Sequence, residues 1–215
     1  MESTNDKLAV RYAPVQLEWT SDIDNAIMCL DEGATLDFGL NQSNHESFYK
    51  IRVPMMLKGS RKKVSFFLLI IPEDIRVFDI TSGPSTTLSL HTTLSQRSSF
   101  LVVPRSYALQ NKKAYDTFDL LKSLSRATSF SCHLTDAKDD ALASLQAASK
   151  LFAESRGRFR TDSDEYGLDR FYHGAGGVVQ KIDHHPPGST TGSSSPDPLQ
   201  LGYPPLYAET CRPSY

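Results

Sequence analysis

Two apolar runs joined by a glycine turn constrain this chain more than anything else in it. From Phe48 to Leu57, Tyr49, Ile51, Val53, Met55 and Leu57 share one parity while Lys50 and Arg52 take the other. That period of two is the mark of a half-buried strand. Lys58-Gly59-Ser60-Arg61-Lys62 makes a polar turn, and Val64 to Ile71 follows as an apolar run broken only by Ser65. Such a run suits a central strand covered on both faces. The pair reads as a hairpin with a basic tip. Pro54 lies inside the first strand and cannot donate a ladder hydrogen bond, so an edge or a bulge is expected there.

Further strands are expected at Ile75–Phe78, Thr87–Leu94 and Phe100–Val103, the last closed by Pro104. The period then lengthens. Tyr115, Phe118, Leu121 and Leu124 fall on one helical face. Ser129 to Leu134 returns to strand. A second helix is expected from about Asp136 to Ser155, with Asp139 and Asp140 at the positive end of its dipole and Gly157 as its stop. Its buried side is traced by Leu142, Leu145, Ser149 and Phe152. Gly174-Ala175-Gly176-Gly177 precedes the strand-like Val178-Val179-Gln180-Lys181-Ile182. It lacks the spacing of a phosphate loop, and a tight turn is the expectation. The order of elements implies an α+β fold, an antiparallel β-rich sheet packed with two main helices.

Residues 1–46 form a poorly defined N-terminal segment. Leu8–Tyr12 and Val15–Trp19 read as short edge strands separated by Pro14, and Asp22–Leu30 as a helical turn or more. Residues 47–182 make the α+β domain. Beyond them, residues 183–215 are rich in proline, serine and glycine, with too little apolar content to offset the entropy of ordering; a disordered tail is expected.

Composition narrows the function classes. Hydrophobic residues are 39% of the 215, charged residues 22%, and the formal net charge is -2. That balance gives no global pull toward nucleic acid or an anionic membrane, so nucleic acid is not the expected partner. Cys29, Cys132 and Cys211 share no CxxC spacing, and reduced thiols in the cytoplasm or nucleus fit best. The polar N-terminus has no signal-peptide core, and the longest apolar run is far short of a membrane span.

No catalytic residue, metal ligand or cofactor site is expected. The six histidines form no HExxH or similar pairing. No GxSxG occurs, and Cys132 reads as an inert buried thiol. Two basic patches are candidate nucleic-acid contacts: Lys58, Arg61, Lys62 and Lys63 at the hairpin tip, and Arg156, Arg158 and Arg160, which flank Phe159. Their alternative is a solvated turn and a helix C-terminus that favours cations.

The sharpest motif lies in the tail. Pro204-Pro205-Leu206-Tyr207 matches PPxY, the core ligand of one class of WW domains. Two prolines favour a polyproline II helix at low entropic cost, aromatic grooves recognise that shape, and Tyr207 would fill a second pocket. Pro204, Pro205 and Tyr207 are therefore the candidate contacts to a WW-domain partner.

Five features in order resemble a family of uncharacterised filamentous-fungal proteins. They are the hairpin from Tyr49 to Ile71 with its Leu57-Lys58-Gly59 turn, Leu101-Val102-Val103-Pro104, the helix running into Ala127-Thr128-Ser129-Phe130-Ser131, an LYxGxGG-like element at Phe171–Gly177, and the PPxY tail. The chain departs from that pattern at Phe171-Tyr172, where leucine-tyrosine is usual. The resemblance implies a fungal host and this architecture, and no activity. It makes a ubiquitin ligase carrying WW domains a natural partner. The leading expectation is a non-enzymatic interaction protein. The alternatives are an enzyme or accessory protein of a fungal metabolic gene cluster, and a nucleic-acid-binding module.

Overall fold

The computed structural model describes residues 7–180, apart from positions 32, 83–87, 98, 135–138 and 156–158. The chain is β-rich and its sheet is largely antiparallel. Strands β1 (Lys7–Thr20), β2 (Ile27–Leu30), β3 (Thr35–Asn41), β4 (Glu46–Met56) and β5 (Lys63–Ile70) come first. They are followed by β6 (Ile75–Ser82), β7 (Leu88–Leu94) and β8 (Ser99–Pro104). Helix α1 (Lys112–Arg126), β9 (Ser129–Leu134) and helix α2 (Asp139–Ser155) complete the core elements. Short β10 (Arg160–Thr161), α3 (Ser163–Tyr166), a 3-10 segment (Leu168–Gly174) and β11 (Gly177–Val179) end the described chain. Among the described residues, no helix is long and apolar enough to cross a membrane.

The strand order is β11-β8-β5-β4-β3-β1-β9-β7-β6, with β10 added in parallel to β4 and β2 added to β1. Strand β1 is the hinge of this order. Its first half pairs with β3 and its second half with β9. The register with β3 shifts between Val10 and Ala13, so the inward positions run Val10, Ala13, Val15, Leu17, Trp19, with one interval of three. A bulge of this kind bends a strand and sharpens its twist. The sheet curls until its two halves face each other. Phe38 of β3 stacks on Phe78 of β6 at 4.9 Å, and Tyr49 of β4 meets Phe130 of β9 at 6.0 Å.

The helices cover the core between these halves. In α1, Ala114, Phe118, Leu121 and Leu124 are buried, Asn111 caps the helix by accepting from Ala114 N at 3.0 Å, and Trp19 Nε1 donates to Ser123 Oγ at 3.1 Å. Tyr115, expected on the buried face, is exposed. In α2, Leu145, Ala148 and Phe152 are buried, and Ala148 takes the place expected of Ser149. Phe152 stacks on Phe78 at 4.9 Å.

The hairpin matches its expectation. Met56 pairs with Lys63 nearest the tip, Phe66, Leu68 and Ile70 enter the main core, and Phe67 and Leu69 enter a second cluster on the opposite face. Pro54 is tolerated because the β3 ladder ends at the Thr35–Arg52 pair, which leaves β4 an edge on that side at Pro54.

The N-terminal segment differs from the reading. It holds three strands, and the two expected edge strands are one continuous central strand. Pro14 falls where pairing to β3 ends and just before pairing to β9 begins at Val15, so a missing N–H there costs no ladder bond to β9. Asp22–Leu30 is a turn followed by β2, with no helix. The expected tail, residues 183–215, lies outside the described residues.

Candidate functional site

The outer surfaces of the two half-sheets carry different chemistry. On β7 and β9 the outward positions are Ser89, His91, Thr93, Ser129, Ser131 and His133, all half-buried. Ser89 Oγ lies 2.8 Å from His133 Nδ1, and Ser131 Oγ lies 3.3 Å from His91 Nδ1. His91 Nε2 faces Thr93 Oγ1 at 3.3 Å and Ser129 Oγ at 3.4 Å. Each imidazole contact shown is thus to a hydroxyl. A hydrolytic Ser–His pair needs a carboxylate to orient the ring and free N–H donors for an oxyanion. Here Ser131 sits mid-ladder, paired on one side with Glu18 and on the other with His91, where backbone donors are committed to the sheet.

An open groove of about 390 Å³ begins at this surface and runs to the β1–β2 turn. Glu18, Asp22, His91, Arg97, Arg126, Ser129 and Ser131 line its polar side. Asp22 bridges two guanidiniums, with Oδ2 3.1 Å from Arg97 and Oδ1 3.1 Å from Nε of Arg126. The turn is fixed by Ser21 N donating to Ala26 O at 2.8 Å and by Asn25 in the left-handed region at φ 56°. It holds two isoleucines out in water: Ile23 is 78% exposed, and Ile27 on the groove wall is 71% exposed. Sequence reasoning missed this pair by assigning the segment to a helical turn. Asp24-Asn25 between two isoleucines was the available turn signal.

The outer surface of β3, β4 and β5 is covered and charged. Lys50, expected on a solvated face, is 6% exposed, and Asp37 is fully buried. The segment from Ser163 to Gly174 lies over them. Glu165 of α3 is the central acceptor, binding Arg11 at 2.6 Å and also Lys50. Burial pushes its carboxyl upward, but hydrogen bonds from Arg11 and Lys50 outweigh that and hold it down at about 2. Burial lowers Lys50 from its ordinary value against the pull of Glu165. Asp37 takes Arg52 Nε at 2.6 Å and Tyr12 N at 2.8 Å. Phe48 closes over Gly39, where a Cβ would lie 2.2 Å from the ring, and Arg11 stacks on Phe48 at 4.1 Å. Tyr166 ends the β4–β5 ladder: its hydroxyl accepts from Tyr49 N at 3.0 Å and donates to Ile70 O at 2.5 Å. Phe171 packs on Phe67 at 4.7 Å, and Tyr172 donates to Val102 O at 3.1 Å.

The glycine turn behaves as expected. Gly174 and Gly176 have φ of 85° and 78°, and β11 follows. Gly177 is required for a different reason, since a Cβ there would lie 2.5 Å from Val102 Cγ1.

Lys58, Arg61, Lys62 and Lys63 are all exposed at the hairpin tip. Arg160 is exposed on β10, paired with Glu46 at the other end of β4. Ten residues of strand separate Glu46 from Met56, roughly 33 Å, so Arg160 and the tip do not form one patch. Arg156, Arg158, Pro204, Pro205 and Tyr207 lie outside the described residues. Cys29 is exposed, whereas Cys132 is buried beside the Tyr49 hydroxyl at 3.4 Å, and burial pushes its thiol up to about 12. Among the described residues, no group of three or more His, Cys, Asp or Glu side chains could hold a metal ion. No family model, curated protein or solved structure matches the chain.

Proposed function

We propose that the chain is a non-enzymatic interaction protein of the α+β class, with a folded recognition domain and a tail that recruits a WW-domain protein through Pro204, Pro205 and Tyr207. The observation that supports the domain half is the groove beside the β1–β2 turn. Asp22 ties its two guanidiniums, Arg97 and Arg126, together, which suits recognition better than proton transfer. Ile27 stands unburied on its wall, and Ile23 stands unburied on the same β1–β2 turn. Exposed aliphatic side chains rimmed by polar groups are the usual composition of a protein contact. The partner segment would bring aliphatic side chains to Ile23 and Ile27 and an acceptor to Arg97.

The tail half rests on the PPxY sequence, and the fungal resemblance makes a WW-bearing ubiquitin ligase the partner class. Two separable measurements test the reading. An isolated WW domain is titrated with the full chain and with Tyr207→Ala; a loss of about tenfold or more is expected, since the tyrosine fills one of two pockets. Equal binding by both removes the tail half. Partners recovered by the full chain are then compared with those of Ile23→Asp/Ile27→Asp, and unchanged recovery removes the groove half.

A further inference from the structure

Tyr12 is the residue on which the sheet spends conformational strain without burying anything. It sits in the β1 bulge at φ 55°, a region bulky side chains rarely adopt, yet 62% of it is exposed. A fully buried carboxylate holds it there, because Asp37 accepts the Tyr12 N–H and also grips Arg52. The Arg52 guanidinium lies against the Tyr12 ring at 4.3 Å from its centroid. One face of the ring is therefore backed by a cation, while most of the side chain stands in solvent. Strain of this sort, held in place by buried partners, is a pointer to function.

A second observation says what would use that ring. The outward face of β4 continues from Arg52 through Pro54 and Met56 to Lys63, the cross-strand partner of Met56. Lys58, Arg61 and Lys62 follow in the hairpin tip. Arg52 and Met56 are four residues apart, about 13 Å along the strand. The two cations nearest Tyr12 are neutralised, Arg52 by Asp37 and Arg11 by Glu165. The four tip cations have no ion-pair partner among the described residues. A flat ring backed by a guanidinium, then four exposed cations at the hairpin tip, is the pairing that single-stranded nucleic acid asks for: a base face to stack and phosphates to neutralise. A duplex keeps its base faces inside its own stack. An acidic peptide would use the cations and leave the ring idle.

We infer that the outer face of β4 and its hairpin tip bind single-stranded nucleic acid, with Tyr12 stacking on a base and Lys58, Arg61, Lys62 and Lys63 holding the phosphates. The near-neutral net charge conceals this surface, because the total sums over faces that a strand of nucleic acid meets one at a time. The surface shares no residue with the groove, so it stands or falls separately from the proposed protein contact.

Binding of the full chain to a fluorescently labelled single strand of about 12 nucleotides, as RNA and as DNA, is followed by anisotropy. Four neutralised phosphates predict a slope of log K against log salt near −3, so affinity drops about 50-fold between about 50 and 200 mM salt. Glycine suits the positive φ at position 12, so Tyr12→Gly removes the ring without disturbing the bulge. It is expected to weaken binding about tenfold with the salt slope unchanged. Arg61→Ser/Lys62→Ser is expected to cut the slope by about half. No binding at about 50 mM salt overturns the inference, as does a Tyr12→Gly chain that binds like the parent. Tighter binding to vesicles containing anionic lipid than to either oligonucleotide also overturns it.

Discussion

The outer surface of β3–β5 and the outer surface of β7 and β9 are two solutions to one problem, a sheet side that faces away from the core. On β3–β5 the chain lays Ser163–Gly174 over the surface, so every charge beneath must find a partner. Asp37 does so with Arg52 and Tyr12 N–H, and Glu165 with Arg11 and Lys50. On β7 and β9 no described segment is laid over the strands in the same way, and the outward residues are hydroxyls and imidazoles that water can satisfy. Covering a face brings apolar burial by Phe171 and Tyr172, but it turns each charged side chain into a commitment. The bare face is free of that commitment and remains open for recognition.

Breaking the largest commitment should give the largest effect. Asp37→Ala leaves the Arg52 guanidinium and the Tyr12 N–H without their acceptor. A loss of about 3–5 kcal/mol is expected from urea unfolding; a loss below about 1 kcal/mol would mean the pair contributes no more than a surface ion pair. The clamp on Glu165 should show in the acid limb of stability. Its carboxyl is depressed from 4.5 to about 2 in the folded chain. Its contribution is therefore complete above pH 4.5 and is lost as pH falls through that value toward 2. Thermal melts across that window should steepen for the parent relative to Glu165→Gln, and parallel acid limbs would show that Glu165 is not a major contributor. The bare face should respond least. Ser89→Ala/Ser131→Ala removes one hydroxyl contact from each imidazole, and a change within about 0.5 kcal/mol per site is expected. A larger loss would mean that the hydroxyl ladder carries stability and that the two faces are less different than their composition suggests.

The contrast also explains how far the sequence could be read. The β4–β5 hairpin, β9 and both main helices are visible because their partners are local or their periodicity is clean. Phe66 to Ile70 announces a strand covered on both sides. That same reading could have warned that neighbouring Lys50 shares the cover; the warning is faint because its partner Glu165 lies 115 residues away. Strand β1 was illegible for a different reason. Its inward residues keep step on each side of the bulge, but the interval from Val10 to Ala13 is odd, so no single period fits the whole and Pro14 looked like a break. At the candidate sites, the basic tip was readable because charge shows in one dimension. The exposed Ile23–Ile27 pair and the Tyr12–Asp37–Arg52 arrangement were not, since both arise from where a turn and a bulge aim side chains.

The odd interval in β1 has a consequence for how this chain tolerates change in length. Strand polarity repeats every two residues. Deleting one residue between Val10 and Ala13 would remove the bulge, because the two would then lie two residues apart, as their partners Phe38 and Leu36 do on β3, and Leu17 and Trp19 would still face the core. Deleting two would make Val10 and Ala13 neighbours and flip every downstream side chain, sending Leu17 and Trp19 into solvent and Gln16 and Glu18 toward Phe130 and Leu134. Loss of a single codon at the bulge should therefore be less harmful than loss of both the Arg11 and Tyr12 codons.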